Sequence, residues 1–400
     1  MNILFCNYEY PPLGGGGGVV NAQVAQELAK RHKVTVLTSQ GLGLQRESIE
    51  NGVRVVRVPV FFRTQEAIAN LHSMVAFIPM GIEAGLKLLK VNRFDVINTH
   101  FVLPSGPVGD FLAHRAGIPN VLSLHGGDLY DPSKFSSPHR DPVLRLWIRW
   151  LLRRADQVVG QSLNTLSNMR QFYTPEIQGV RIPLGINRPC FENVTRREYG
   201  FVDDEILLVT VGRLVRRKAN EQLLALLKAV KQPGVRLLVV GSGPDEQFLR
   251  EEAQKLELGD QVRFYGYVED TEKFRLLQIS DIYVSTSQHE GFCLSFLEAM
   301  SCGLPVISYD HGGHTDFLMD HTTGYLVPLN DLDGFVERSR LLIENAELRR
   351  KLGENNRLIV EQYYIDTCAS MYESEFKKTI ELKHTTRNLG IYRSSRASTD

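Results

Sequence analysis

The sequence has no surplus of charge of either sign: 46 Lys and Arg stand against 46 Asp and Glu in 400 residues. No global attraction to nucleic acid is expected, and any basic surface must be local. Cysteine is sparse. Cys6, Cys190, Cys293, Cys302 and Cys368 are odd in number and lack metal-ligand spacing, which suits a reduced, cytoplasmic setting. No apolar run reaches the roughly 20 residues of a bilayer span. The longest, near Met74 to Leu89, is broken by Pro79, Glu83 and Lys87. The apolar start gives way at Asn7, Glu9 and Pro11-Pro12, which is not an export signal. A dinucleotide fingerprint is missing as well. After Gly14–Gly18 come Val19, Val20 and Asn21, and the next strand ends in Thr38-Ser39 with no carboxylate for an adenosine ribose. Nicotinamide and flavin cofactors are therefore disfavoured.

What is present is the composition of an ordinary globular protein, 43% apolar and 23% charged. Strand-like and helix-like segments alternate, as in a parallel sheet covered on both faces. The spacing predicts strands at Ile3–Phe5, Val34–Thr38, Val53–Val58, Val96–Thr99, Val121–Leu124 and Gln157–Val159, with a helix from about Val19 to Arg31. Prolines and glycine between Thr174 and Phe191 mark a linker, after which a second alternating unit begins at Ile206. The expected fold class is α/β, with domains at 1–178 and 201–362, a linker at 179–200, a further helix at 363–383 and a flexible tail at 384–400.

The stretch Gln288–Gly303, QHEGFCLSFLEAMSCG, follows a short β-branched run and opens a helix. A helix start has unpaired N–H groups and a partial positive charge, so the backbone of Phe292, Cys293 and Leu294 suits a diphosphate. Glu290 on the preceding loop is placed to hold sugar hydroxyls, and Glu298 on the second turn to accept both hydroxyls of a ribose. The plain alternative is a solvated Glu before an amphipathic helix.

Another strand, Ile206–Val211, ends in Gly212-Arg213-Leu214-Val215-Arg216-Arg217-Lys218. Arg213 can grip a phosphate with two prongs and Lys218 can act as a point charge, the pairing a departing diphosphate needs. Arg216 and Arg217 are expected to face solvent. In the first half, Gly16 and Gly17 are the expected contacts of a loop that admits close backbone approach. His125 closes a strand just before Gly126-Gly127-Asp128; Asp128 either caps a following helix or meets the acceptor. The D-x-D at Asp331-Leu332-Asp333 has the look of a helix cap.

The ordered set VGRLVRRK, VVGSGPDEQFLREEAQ, VRFYGYVED, SDIYVSTSQHEGFCLSFLEAMSCGLPVISYDHGGHTD and GYLVP resembles glycosyltransferase family 4, the retaining enzymes of GT-B fold, over nearly the whole chain. The resemblance implies two Rossmann-like domains facing a cleft and a C-terminal helix that crosses back to the first. It also implies transfer of a hexosyl group from a UDP- or GDP-sugar to a hydroxyl of a glycan, glycolipid or small molecule, with no metal and no other cofactor. In it, His125 lies beside the donor sugar, Glu290 and Glu298 hold the two sugars, Arg213 and Lys218 hold the diphosphate, and Tyr265 to Val268 flank the base. Cys293 and Ala219 stand where glycine is usual, and Thr315-Asp316 replaces a Glu-containing pattern. Acceptor choice is expected in the loops between Phe61 and Ile78 and after Asp128. Pro142–Val159 carries Leu144, Trp147, Ile148, Leu151 and Leu152 on one face with arginines elsewhere, a candidate for peripheral docking on anionic lipid at the inner face of a membrane. A sugar-nucleotide epimerase or hydrolase on the same plan, and a non-catalytic nucleotide-sugar binder, are the alternatives.

Overall fold

Aliphatic runs such as Ile206–Val211 leave no polar face for water, so they become strands covered on both sides. The computed structural model describes residues 1–41, 43–61, 70–132 and 137–396, with side chains through residue 385. Parts of both acceptor loops anticipated above, 62–69 and 133–136, lie outside the described residues. The chain folds as two units, Met1–Gly185 together with the segment from Ile365, and Ile186–Tyr364.

The first unit is built on β1 (Asn2–Asn7), β2 (Lys33–Gln40), β3 (Glu47–Glu50), β4 (Val53–Pro59), β5 (Val96–His100), β6 (Asn120–Leu124), β7 (Gln157–Gly160) and β8 (Val180–Arg181). Their order is β3-β4-β2-β1-β5-β6-β7-β8. Pairing is parallel except where β3 meets β4. Leu4, Ile97 and Leu122 are at most 1% exposed and centre its core. The second unit is built on β9 (Ile206–Val211), β10 (Val235–Val240), β11 (Val262–Gly266), β12 (Ile282–Ser285), β13 (Val306–Tyr309) and β14 (Gly324–Val327), ordered β11-β10-β9-β12-β13-β14 and all parallel.

Strand order positions the chemistry. In the second sheet the chain winds outward from β9 through β10 to β11, then resumes on the other side at β12. Loops leaving β9 and β12 therefore emerge side by side at a topological switch point, where ligands of open parallel sheets bind. The first sheet reverses likewise between β1 and β5.

Several boundaries differ from the expectation. Val180–Arg181 still belongs to the first sheet, so the second unit begins at Ile186 and not beyond a linker from 179. The last helix, Ile365–Arg396, belongs to the first unit and continues through the residues expected as a tail from His384. The first helix starts at Gly16, not near Val19, which puts Gly16 and Gly17 in its first turn.

Candidate active site

β9 ends in a turn laced to the turn after β10. Gly212 N–H donates to the Val240 carbonyl at 2.9 Å and Leu214 N–H to the Ser242 carbonyl at 2.9 Å. Gly241 has φ +129°, and a Cβ there would lie 2.0 Å from the Gly212 carbonyl oxygen, so only glycine lets the two turns meet. Beyond this, Arg213 projects into solvent, and no ion pair forms for it among the described residues. Arg216–Lys218 forms one 3₁₀ turn closed by Ala219 at φ +47°. Thr286, just past β12, lies 3.2 Å from the Lys218 carbonyl and 2.9 Å from that of Ala219, tying the turn to its neighbour.

That tie brings Lys218 onto Glu290. The ammonium is 2.7 Å from Glu290 Oε1, and Arg217 reaches Oε2 at 3.2 Å while also donating to the His289 carbonyl at 3.0 Å. Arg217 is thus not the solvent-facing charge expected of it; the tight turn swings it to the same side as Lys218. Glu290 is 5% exposed. Burial alone raises its pKa, but Lys218, then Arg217, reverse this and hold it near about 2 against an ordinary 4.5. Burial works against the Lys218 charge too, yet Cys293 and Glu290 outweigh it and leave its pKa raised.

Because the folded pKa of Glu290 lies below its unfolded value, its contribution to stability is full above about 4.5 and lost as pH falls toward about 2. Urea melts of wild type and Glu290→Gln are expected to differ most above that window and to converge within it. A constant difference would contradict the assignment.

The loop after Glu290 leads into the helix Leu294–Ser301. Phe292 is 2% exposed, its ring 5.1 Å from that of Phe317 and 6.3 Å from that of Tyr363. This anchors the loop, so only its backbone is left to meet a ligand. Cys293 caps the helix at φ +72°, a value costly for a residue with a side chain. Its Sγ lies 3.9 Å from Lys218 Nζ and 3.3 Å from Ser295 Oγ. Lys218, Glu290 and the start of this helix therefore share one place, with Leu294 as its first helical residue.

Glu298 pairs with a different cation. Lys273, from the helix Asp270–Ile279, takes its Oε1 at 2.7 Å and is itself 2.9 Å from Asp270. Burial raises the Glu298 pKa against the pull of Lys273. Lys273 was not foreseen: a lysine three residues after an aspartate on an amphipathic helix has the pattern of an exposed pair. Val268 is half-buried in the loop between β11 and that same helix.

In the first unit, His125 is 9% exposed, stacked on Phe101 with ring centroids 4.2 Å apart, and burial lowers its pKa to about 3. Asp128 caps no helix; its carboxylate accepts from the His125 N–H at 3.0 Å and the Val102 N–H at 2.9 Å, bracing two strand ends. Gly17 lies against this pair, since a Cβ there would be 2.7 Å from the Phe101 ring and 3.6 Å from His125 Nδ1. Gly16 has open space at the same position.

The stripe read as lipid-facing is core. Ile148, Leu151 and Leu152 of the helix Pro142–Arg154 are at most 2% exposed and pack with Leu122, Leu124 and Val158. Leu144 and Trp147 are half-buried, while Arg153 pairs with Glu176 at 2.5 Å and Arg154 with Asp110 at 2.9 Å. Asp331 caps the helix Leu332–Glu344, accepting from the Gly334 N–H at 3.0 Å. Among the described residues no group of three or more His, Cys, Asp and Glu is arranged to hold a metal ion, and no helix is long and apolar enough to cross a membrane.

Comparison with known proteins adds a family to this geometry. The profile of glycosyl transferases group 1 matches residues 191–359, and that of the glycosyl transferase 4-like domain matches residues 15–185. The chain is 26% identical over 377 residues to N-acetyl-alpha-D-glucosaminyl L-malate synthase of Bacillus anthracis, which covers 91% of this chain and 94% of that protein. Sucrose-phosphate synthase from Thermosynechococcus elongatus has the same fold, with TM-score 0.81, 24% identity and coverage of 95% of this chain and 99% of its own. Anabaena HepE, solved in complex with UDP-glucose, aligns with TM-score 0.74 and 20% identity over 94% of this chain and 100% of its own.

Proposed function

The chain belongs to the glycosyl transferases of group 1, of GT-B fold, and from that premise we propose that it moves a hexosyl group from a UDP- or GDP-sugar to a hydroxyl of a glycan, glycolipid or small molecule. The anomeric configuration is retained and no metal takes part. The observation that carries this reading is the ammonium of Lys218, its side chain 12% exposed, 2.7 Å from Glu290 and 3.9 Å from the thiol of Cys293, the residue that precedes the Leu294–Ser301 helix. A cation beside a helix start, at a sheet's switch point, is suited to a diphosphate. HepE with UDP-glucose and the N-acetylglucosaminyl relative support a nucleotide-sugar donor.

In this reading Lys218 and the amides around Cys293 hold the diphosphate, with Arg213 free to close on it from solvent. As the bond from the anomeric carbon to the phosphate oxygen breaks, the acceptor oxygen bonds that carbon from the same face. The acceptor's proton passes to a phosphate oxygen, so no separate base is needed. Charge growing on the diphosphate is met by fixed donors, each worth about 3 to 4 kcal/mol when well placed. Glu290 fixes Lys218 and faces the transferred sugar. Glu298, its Oε1 tethered by Lys273, offers its other oxygen to the ribose.

A panel of UDP-, GDP- and ADP-sugars tests this by thermal shift followed by product analysis. A true donor at 100 times its dissociation constant is expected to add about 2.7 kcal/mol of stability. Indifference to the entire panel would refute the donor class.

A further inference from the structure

A line of polar side chains is buried in the first unit, where water does not reach. Ser123 Oγ donates to Asn98 Oδ1 at 3.0 Å, Asn98 Nδ2 lies 2.7 Å from His100 Nε2, and His100 Nδ1 lies 3.1 Å from His125 Nε2. Asn98 and His100 are at most 1% exposed. The far nitrogen, His125 Nδ1, is buried and has no hydrogen-bond partner among the described residues. Leaving such a group unpaired costs roughly 1 to 3 kcal/mol, and an orphan of this kind at a strand end calls for a ligand.

The chemistry of each group settles where the protons sit. An amide NH₂ only donates, so His100 Nε2 accepts. A neutral imidazole has one N–H, which His100 must then carry on Nδ1 and donate to His125 Nε2. His125 in turn has its hydrogen on Nδ1. Burial keeps both rings neutral, His100 well below the ordinary histidine range.

We propose that Ser123, Asn98 and His100 are positioning residues that fix the tautomer of His125, making its Nδ1–H a hydrogen-bond donor to a substrate oxygen beside Gly17 and denying it any role as a proton acceptor. This rests on the glycosyl-transfer reading above and adds to it a substrate contact in the first unit. The class of group it takes is an oxygen acceptor, a sugar hydroxyl or a phosphate oxygen, and not an ammonium or a proton to be abstracted.

The test is the ¹⁵N spectrum of the full-length protein labelled at histidine, recorded with one-bond N–H couplings. Wild type is expected to show the coupled proton of His125 on Nδ1. In Asn98→Asp, of the same shape, a carboxylate accepts from His100 Nε2–H, so each link reverses and the proton of His125 moves to Nε2. With Nδ1 then an acceptor facing an acceptor, kcat/KM is expected to fall roughly 10- to 100-fold. The wild-type spectrum decides the tautomer even if the variant fails to fold. A wild-type proton on Nε2, or a tautomer unmoved by Asn98→Asp, overturns the relay. The predicted switch with unchanged kcat/KM, and equally full activity in His125→Ala, overturns the donor role and the placement of substrate while leaving the tautomer assignment intact.

Discussion

Replacing Lys218 with methionine is expected to lower kcat by about two to three powers of ten, the loss seen when one well-placed donor to a developing anion is removed. The stem keeps its volume, so packing changes little. Charge changes much more. Glu290, 5% exposed, keeps Arg217 at 3.2 Å as its one remaining ion-pair partner among the described residues, and breaking a buried pair from one side typically costs about 3 to 5 kcal/mol. A loss of activity alone is therefore ambiguous. The double variant Lys218→Met/Glu290→Gln removes both charges and is expected to recover most of the stability, because neither partner is stranded. Activity does not return with it. Lys218→Arg does not rescue either, since a planar fork cannot sit where a compact ammonium lies 2.7 Å from a carboxylate and 3.9 Å from a thiol. Urea melts and initial rates on the same preparations separate the two effects. Turnover at the wild-type rate in Lys218→Met would remove the residue from the mechanism.

Gly312→Ala is expected to damage both stability and turnover. Gly312 has φ +128°, and a Cβ built there would meet the Glu290 carbonyl oxygen at 2.5 Å and its nitrogen at 3.1 Å. Backbone cannot rotate away as a side chain can. The left-handed conformation costs a non-glycine residue roughly 1 to 3 kcal/mol, and forced overpacking adds a similar amount. The Gly313 N–H, which donates to that same carbonyl at 2.7 Å, would be displaced with it. We expect a total loss of about 3 kcal/mol or more, a fall in Tm of several degrees and a larger proportional drop in kcat/KM, because the carboxylate beside Lys218 moves. Gly234→Ala is the control: a Cβ there meets nothing within 4 Å, and its effect is expected within about 0.5 kcal/mol.

What the residues announced in advance was the architecture and the loops that matter. Ile206–Val211 is apolar throughout because helices cover both faces of its sheet, and such a run is legible without coordinates. The spacing from Glu290 to Glu298 likewise placed one carboxylate on a loop and the other in a helix. Side-chain facing was harder. Arg216, Arg217 and Lys218 are consecutive cations, and only the 3₁₀ turn and its tie to Thr286 decide that the last two face Glu290 while Arg216 lies 5.1 Å from the Phe248 ring. Lys273 was invisible because its partner Glu298 is distant in sequence. β3, Glu47–Glu50, is polar and short, an antiparallel edge that no apolar periodicity marks. Helix Pro142–Arg154 misled for the opposite reason: an apolar stripe reads the same whether it meets lipid or its own sheet, and here Ile148 and Leu151 meet the sheet.

The central claim is that Lys218 and the adjoining helix start grip a diphosphate. Calorimetric titration of wild type and Lys218→Met/Glu290→Gln with UDP and GDP, and with the matching nucleoside monophosphates, tests it most directly. We predict that wild type prefers one diphosphate over its monophosphate by at least about tenfold, or 1.4 kcal/mol, and that the double variant loses this preference while remaining folded. Diphosphate binding as tight in the double variant as in wild type would contradict the account.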